Sequence, residues 1–359
     1  MPSSFLDRPL IVTGTAGFIG FHLARDLLER GCRVVGIDCL TAYYDVRLKQ
    51  DRHSLLKTYP GFTAVESDLA DPDLLGPLMK DLKPGCFVHL AAQPGVRYSL
   101  ENPNAYIDCN VQAFMNVLEA CRHNPVGHLI YASSSSVFGD NTKTPFSEED
   151  RTDHPISLYA ATKKANEMMA HAYAHLFRIP VSGVRFFTVY GPWGRPDMAV
   201  YKFTEALWND QPIPVYGGGA LQRDFTYIDD VIESLVRLVD HPATPDPDWN
   251  GRAPHTPTSD APYRLYNIGN HSPENVLTLI SHLEQILGKK ARKEDLPVQP
   301  GDVEATFADV SRLREAVGFE PRTDLYDGLN RFVEWYRDYK SGQFTIDQNL
   351  HPDADMHRP

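Results

Sequence analysis

Short apolar runs recur from Leu10 to Phe186: LIVT at 10 to 13, RVVGID at 33 to 38, FTAVESDL at 62 to 69, CFVHLAA at 86 to 92, HLIYASS at 128 to 134 and IPVSGVRF at 179 to 186. Longer stretches of helical period separate them. In FIGFHLARDLLERG, Ile19, Leu23 and Leu27 recur every four residues and Gly31 supplies the stop. Strand alternating with helix predicts an α/β fold, a doubly wound parallel sheet with helices on both faces and its ligand at the carboxyl ends of the strands. After Phe186 the pattern loosens into the turns YGPWGRP and YGGGALQRD among helical runs. The Pro-heavy segment 241 to 263 reads as a loop or disordered insertion. Beyond it, strand-like RLYNIGN, a helix near 273 to 287 and a last helix near 324 to 341 predict a smaller C-terminal α/β lobe. The division expected is 1 to 186 for the nucleotide-binding domain, 187 to 341 mostly for the substrate lobe and 342 to 359 for a tail.

Composition narrows the classes. With 359 residues the chain has ample interior for one large domain or two. Lys plus Arg is 35 against 47 Asp plus Glu, a net charge of −12, which gives no electrostatic footprint for nucleic acid or an anionic membrane. Hydrophobic residues at 42% and charged residues at 23% predict a globular chain. The five cysteines, Cys32, Cys39, Cys86, Cys109 and Cys121, form no C-x-x-C pair and read as reduced thiols in a cytosol. Neither a signal peptide nor a membrane span is expected, so the expected location is cytoplasmic. The 14 histidines show no metal-ligand pairing, and no metal site is assigned.

The first predicted strand runs into TGTAGFIG, which spaces Gly14, Gly17 and Gly20 at the mouth of a helix. Backbone amides there can close on a pyrophosphate, because glycine puts no Cβ in the way and the helix N-terminus favours negative charge. Asp38 ends the second predicted strand, 18 residues after Gly20 (38 − 20). A carboxylate there accepts hydrogen bonds from an adenosine ribose and repels a 2′-phosphate, so the fold is expected to be Rossmann-type with NAD rather than NADP as cofactor. Phe18 and Ile19 at the helix mouth, and Ala91 and Ala92 after the fourth predicted strand, complete the expected cofactor contacts. Asp68 and Leu69 either reach the adenine or lie on the surface.

Tyr159 and Lys163 stand four apart on a predicted helix, where an ammonium beside a phenol can lower its pKa and make it a usable base. Chance also produces this spacing, and Tyr336 with Lys340 is a second instance. Context separates them. Tyr159 follows HLIYASS, whose Ser133 and Ser134 are expected to emerge at the ligand edge, with Ser134 25 residues upstream (159 − 134). Ser134, Tyr159 and Lys163 arriving together at a nicotinamide is the arrangement that removes an alcohol proton while hydride leaves its carbon.

Over nearly its whole length the chain resembles the extended short-chain dehydrogenase/reductase superfamily, and within it the UDP-glucuronate 4-epimerase family. VTGTAGFIG and LAAQPGVRYS carry the superfamily likeness; RFFTVYGPWGRPDMA, DPDWNGRAPHTPTSDAPYRLYNIGN and QPGDVEATFADV are narrower. The resemblance implies an isomerase acting through bound NAD: sugar C4 is oxidised, the 4-keto intermediate turns its other face, and the hydride returns. It implies that Tyr159 is the base, that Lys163 holds the nicotinamide ribose and tunes Tyr159, and that Ser134 holds O4. Ser135, Ser136, Thr188 and Arg195 would then meet the sugar carboxylate, Arg223 and Asp302 the uridine diphosphate, and Arg97 is counted among the substrate contacts. A homodimer through helices near 104 to 123 and 157 to 177 is also implied. Cys39 departs from the pattern, since relatives often have Asn after the ribose-binding acid.

Related chemistries ask for other residues. Sugar-nucleotide 4,6-dehydratases carry Asp and Glu after the hydroxyl residue, and UDP-glucuronate decarboxylases tend to place Glu at the second of these positions, where this chain has Ser135 and Ser136. UDP-galactose 4-epimerases act on a sugar with no carboxylate for Arg195. A decarboxylase, another UDP-sugar 4-epimerase and a non-catalytic NAD-binding sensor are the competing readings.

Overall fold

All six N-terminal apolar runs become strands: β1 Leu10–Thr13, β2 Val34–Asp38, β3 Phe62–Glu66, β4 Cys86–His89, β5 His128–Ser134 and β6 Val181–Phe186. The computed structural model describes residues 4–297 and 305–342. β1, β4 and β6 are buried at every residue, as central parallel strands covered on both faces must be. Between the strands run α1 Phe18–Glu29, α2 Val46–Lys57, α3 Leu75–Leu82, the short α4 Tyr98–Glu101 and α5 Pro103–Tyr106, a π turn Ile107–Gln112, α6 Ala113–His123 and α7 Leu158–Phe177.

The remaining chain forms β7 Thr188–Tyr190, α8 Ala199–Trp208, β8 Ile213–Tyr216, β9 Gln222–Tyr227 and α9 Ile228–Val239. After the connector come β10 Tyr263–Ile268, β11 Pro273–Asn275, α10 Val276–Leu287, β12 Lys293–Leu296, β13 Ala305–Thr306, α11 Ser311–Val317 and α12 Leu325–Ser341.

The large sheet has seven parallel strands in the order β10-β6-β5-β4-β1-β2-β3. The winding reverses between β1 and β4, and the crevice at that switch is where such sheets hold ligands. Along β1, Leu10 and Val12 enter the core beneath α1, whereas Ile11 enters the core beneath α3 and α6. The period of two thus feeds both faces.

One expectation is corrected. The sequence assigns RLYNIGN to the smaller lobe, but β10 pairs with β6 in the large sheet, Tyr263 opposite Val181. α9 is the crossover that brings the chain back, and it packs against α1 on one face of that sheet. A strand buried on both faces shows an apolar run whichever sheet it joins, so its partner was not legible. The smaller lobe holds β7, β11 and β13 around β9, the β8–β12 pair, and α8, α10 and α12. The connector is a loop fastened along α7: His171 Nε2 lies 2.9 Å from Ser259 Oγ, and Arg178 donates to the Asp260 carbonyl at 3.0 Å.

Candidate active site

Thr13 and His89 are register partners in β1 and β4, so the chain leaves both strands side by side. Gly14, at φ 78°, turns directly there, and an added Cβ would stand 2.9 Å from Ala91 N. A Cβ on Gly17 would lie 2.9 Å from the Gly14 carbonyl oxygen, and one on Gly20 would run into the same oxygen. The loop therefore folds back on itself in a way that only glycine permits. Thr13 Oγ1 accepts from Leu90 N and Ala91 N, both at 3.1 Å, holding Ala91 and Ala92 against the loop.

α1 starts at Phe18 with no side chain capping it at Gly17, so its first turn, with Phe18 and Ile19, opens onto the crevice. Asp38 accepts from Ala16 N at 2.9 Å and Leu40 N at 2.8 Å. Its carboxylate thus braces the glycine loop from the end of β2. Strand β3 stops at Glu66, short of the expected end. Asp68 is exposed and accepts from Ala70 N at 2.9 Å, while Leu69 is buried and its carbonyl accepts from Asn116 Nδ2 at 2.8 Å. A glycine cradle, an uncapped helix end and a carboxylate at the end of β2 fit a dinucleotide.

On the other side of the crevice, β5 ends in Ser134, whose Oγ accepts from Ser136 N at 3.2 Å and starts a 3₁₀ turn over Ser135–Phe138. Ser157 caps α7 through Ala160 N at 3.1 Å, which sets Tyr159 in the first turn and Lys163 one turn on. Tyr106 meets the Tyr159 ring edge-on at 6.1 Å. Burial raises the Tyr159 phenol above its usual range, opposed by a hydrogen bond from Ser134 and by the positive charge of Arg195. Lys163 is buried, donates to the Ala132 carbonyl at 2.9 Å, and its ammonium is lowered by burial to about 8. Arg195 is thus a cation acting on the phenol that the sequence did not pair with Tyr159.

Ser133 differs from its expected position at the ligand edge. It points to the opposite face, 2% exposed, and donates to Glu167 Oε1 at 2.8 Å. Glu167 also takes both prongs of Arg185, at 2.8 and 2.9 Å, in a pair with no exposed side-chain surface. This buried network fastens α7 to β5 and β6 one turn below Lys163. Sequence reasoning missed it.

Ser134 and Phe186 are register partners in β5 and β6, so Ser135 and Ser136 leave the same sheet edge as Thr188, the first residue of β7. Thr188 and Arg195 line one narrow pocket with Tyr190, Met198 and Tyr201. Arg195 donates through Nε (3.0 Å) and Nη2 (2.5 Å) to the two oxygens of Asp197, and the Tyr43 hydroxyl donates to the same carboxylate at 3.1 Å. Neither Asp197 nor Tyr43 was anticipated. The acid two residues after Arg195 in GRPDM was a visible signal; Tyr43, 154 residues from Asp197, offered none. Arg97 lies 5.1 Å from the Tyr216 ring centroid, reaching from the nucleotide half to the end of β8. Arg223 sits in β9 beside Thr306 of β13 and donates to the Gln222 carbonyl at 2.7 Å. Asp302 lies outside the described residues.

The profile of the NAD dependent epimerase/dehydratase family matches residues 10–269. The chain belongs to that family, and NAD is its cofactor. Among relatives, it is 52% identical over 330 residues to Protein CapI of Staphylococcus aureus, covering 92% of this chain and 98% of the relative. It is 48% identical over 341 residues to a probable UDP-glucuronate 4-epimerase of Rhizobium meliloti, covering 94% and 99%. The crystal structure of UDP-glucuronic acid 4-epimerase from Bacillus cereus, in complex with UDP-glucuronic acid and NAD, superposes with a TM-score of 0.80 at 33% identity, covering 92% of this chain and 99% of that one.

Proposed function

We propose that this NAD-dependent epimerase interconverts UDP-glucuronate and UDP-galacturonate at sugar C4. The observation that carries the reading is the company Tyr159 keeps: a hydroxyl-rich turn at Ser135 and Ser136, Thr188 at the same sheet edge, and Arg195 near enough to act on the phenol. That set suits a sugar bearing a carboxylate, and the relatives above include enzymes named for that substrate.

Bound NAD supplies the acceptor and donor for the hydride at C4. Tyr159 takes the O4 proton, and Ser134, already hydrogen-bonded to the phenol, holds O4 and steadies the developing phenolate. Lys163 faces the Ala132 carbonyl beside that reaction, where it would hold the cofactor ribose. After the planar 4-keto sugar turns over, Tyr159 returns the proton to O4. Ser135, Ser136, Thr188 and Arg195 hold the carboxylate, Arg223 and Asp302 hold the uridine diphosphate end while the ring turns, and Arg97 is a further substrate contact. Residues 1 to 186 carry the cofactor, and 187 to 341 mostly the substrate.

The protein is further proposed to be a cytoplasmic homodimer serving polysaccharide biosynthesis. Ile107, Met168 and Leu176 are exposed on the helices near 104 to 123 and 157 to 177, which supports pairing there. The five cysteines are free, as a reducing compartment keeps them. Among the described residues no helix is long and apolar enough to cross a membrane.

Incubation of the purified protein with UDP-glucuronate, followed by proton NMR, tests the reading. UDP-galacturonate should accumulate to a stable mixture. Accumulation of a UDP-pentose would make the protein a decarboxylase, and an unchanged substrate would refute the assignment.

A further inference from the structure

The loop that carries Arg195 belongs to the smaller lobe's side of the crevice, yet it is held from the nucleotide half at two points. Arg52 of α2 donates to the Trp193 carbonyl at 2.5 Å and to the Ala16 carbonyl of the glycine loop at 2.9 Å. Tyr43, five residues after the ribose-binding Asp38 (43 − 38), donates to Asp197 at 3.1 Å. Asp197 in turn fills one edge of Arg195, accepting from Nε and Nη2.

A guanidinium has five N–H groups arranged in a rigid fork. With Nε and one Nη2 hydrogen spent on Asp197, the edge left to a second carboxylate is the outer one, formed by Nη1 and the remaining Nη2 hydrogen. Asp197 stays ionised: burial opposes its charge, but Arg195 and the Tyr43 hydroxyl outweigh burial and hold it below the usual carboxylate range. The substrate carboxylate therefore meets a guanidinium that is already paired and fixed in orientation.

We propose that Asp197, steadied by the Tyr43 hydroxyl, is a positioning residue that offers only the outer edge of Arg195 to the sugar carboxylate, and so fixes the angle at which that carboxylate is held. The proposal rests on the reading that the substrate is a UDP-sugar acid. Its consequence is selectivity between two fates of the 4-keto sugar. When the C5–carboxylate bond lines up with the C4 carbonyl, it can break: CO₂ leaves, the electron pair enters the C5–C4–O4 enolate, and C5 takes a proton from solvent. A carboxylate held at one angle, out of that alignment, is retained until the hydride returns to C4.

Removing the negative charge of Asp197 has two opposed effects, and their separation is the signature. Arg195 becomes a stronger attractor of the substrate carboxylate, and it becomes free to present either edge. The test compares wild type, Asp197→Asn and Tyr43→Phe with bound NAD, measuring kcat and KM for UDP-glucuronate, the inhibition constant of UDP, and the share of turnovers releasing CO₂. For Asp197→Asn, KM should stay the same or fall, kcat should drop on the order of tenfold, and the CO₂ share should rise, with UDP inhibition unchanged. Tyr43→Phe should move kcat and CO₂ release the same way by less. A KM rising in step with weakened UDP inhibition would make Asp197 a mere support of the fold, and variants matching wild type in kcat and CO₂ release would refute the proposal alone. If wild type makes no UDP-galacturonate, the substrate reading falls and takes this proposal with it.

Discussion

Tyr159 with Lys163 in α7 and Tyr336 with Lys340 in α12 share a spacing and a helical face, and both tyrosines lie where burial raises the phenol. They differ in the charges around the oxygen. Around Tyr159 stand a hydroxyl donor, Ser134, and a guanidinium, Arg195, both of which favour the phenolate. Around Tyr336 stands Glu205, 3.5 Å from the hydroxyl, which with burial drives the phenol far upward. Lys340 pairs with Glu205 at 3.0 Å and lies 5.4 Å from the Tyr336 ring centroid, so its cation meets the ring and the acid rather than the oxygen. Tyr336 is packed among Tyr201, Trp208 and Phe332, a corner of the core. Lys163 donates to the Ala132 carbonyl at 2.9 Å. The four-residue spacing therefore selects a face, and the sign of the neighbours selects the chemistry.

The most severe test of that contrast is removal of each hydroxyl. Tyr159→Phe should keep NAD and UDP binding while turnover falls by on the order of a hundredfold or more, the scale of a lost general base. Tyr336→Phe should leave turnover unchanged. Equal losses in the two variants, read by steady-state kinetics, would erase the distinction.

Removing the cation that acts on Tyr159 sharpens the comparison further. Arg195→Ala should weaken UDP-glucuronate binding by roughly 2 to 5 kcal/mol, the effect of truncating one member of a buried charge pair, and raise the share of turnovers that release CO₂. It should also move the rising limb of kcat/KM to higher pH, because the phenol loses a neighbour that lowers its pKa. Calorimetric titration showing unchanged affinity would return Arg195 to a structural role.

The smallest effect concerns the lysine. Lys163 is lowered by burial to about 8 from 10.5, so between those values the unfolded chain holds a proton that the folded protein has released. Stability gains from this group as pH rises through that window, and the penalty is full below about 8. Denaturant unfolding of the cofactor-free protein should therefore show a contribution rising from pH 8 toward 10 that Lys163→Met abolishes. The same pH slope in both proteins would mean that the ammonium is not buried.

How much of this was legible in the chain depends on distance along it. Strands β1, β2, β4, β5 and β6 were readable because a buried parallel strand is a continuous apolar run, and the glycine loop because three glycines at a strand end answer a local steric demand. Asp38 was readable as the acid that closes β2, and its brace on Ala16 N was not. Ser134 was found, but Ser133 was placed beside it although adjacent strand residues face opposite ways. The sheet that receives β10, the Glu167–Arg185 pair, the hold of Arg52 on two loops, and the Tyr43–Asp197–Arg195 chain all required the fold.

By itself, then, the sequence determined whatever rests on local periodicity and local sterics: the order of strands and helices, the tight glycine turn, and a serine, a tyrosine and a lysine sent to one sheet edge. Tertiary structure decided which charge faces which atom. Residues 154 positions apart meet at Asp197, and Arg195 acts on Tyr159 from outside its helix. Electrostatic influence follows distance and burial in the folded molecule, and neither is encoded in the interval between two residues along the chain.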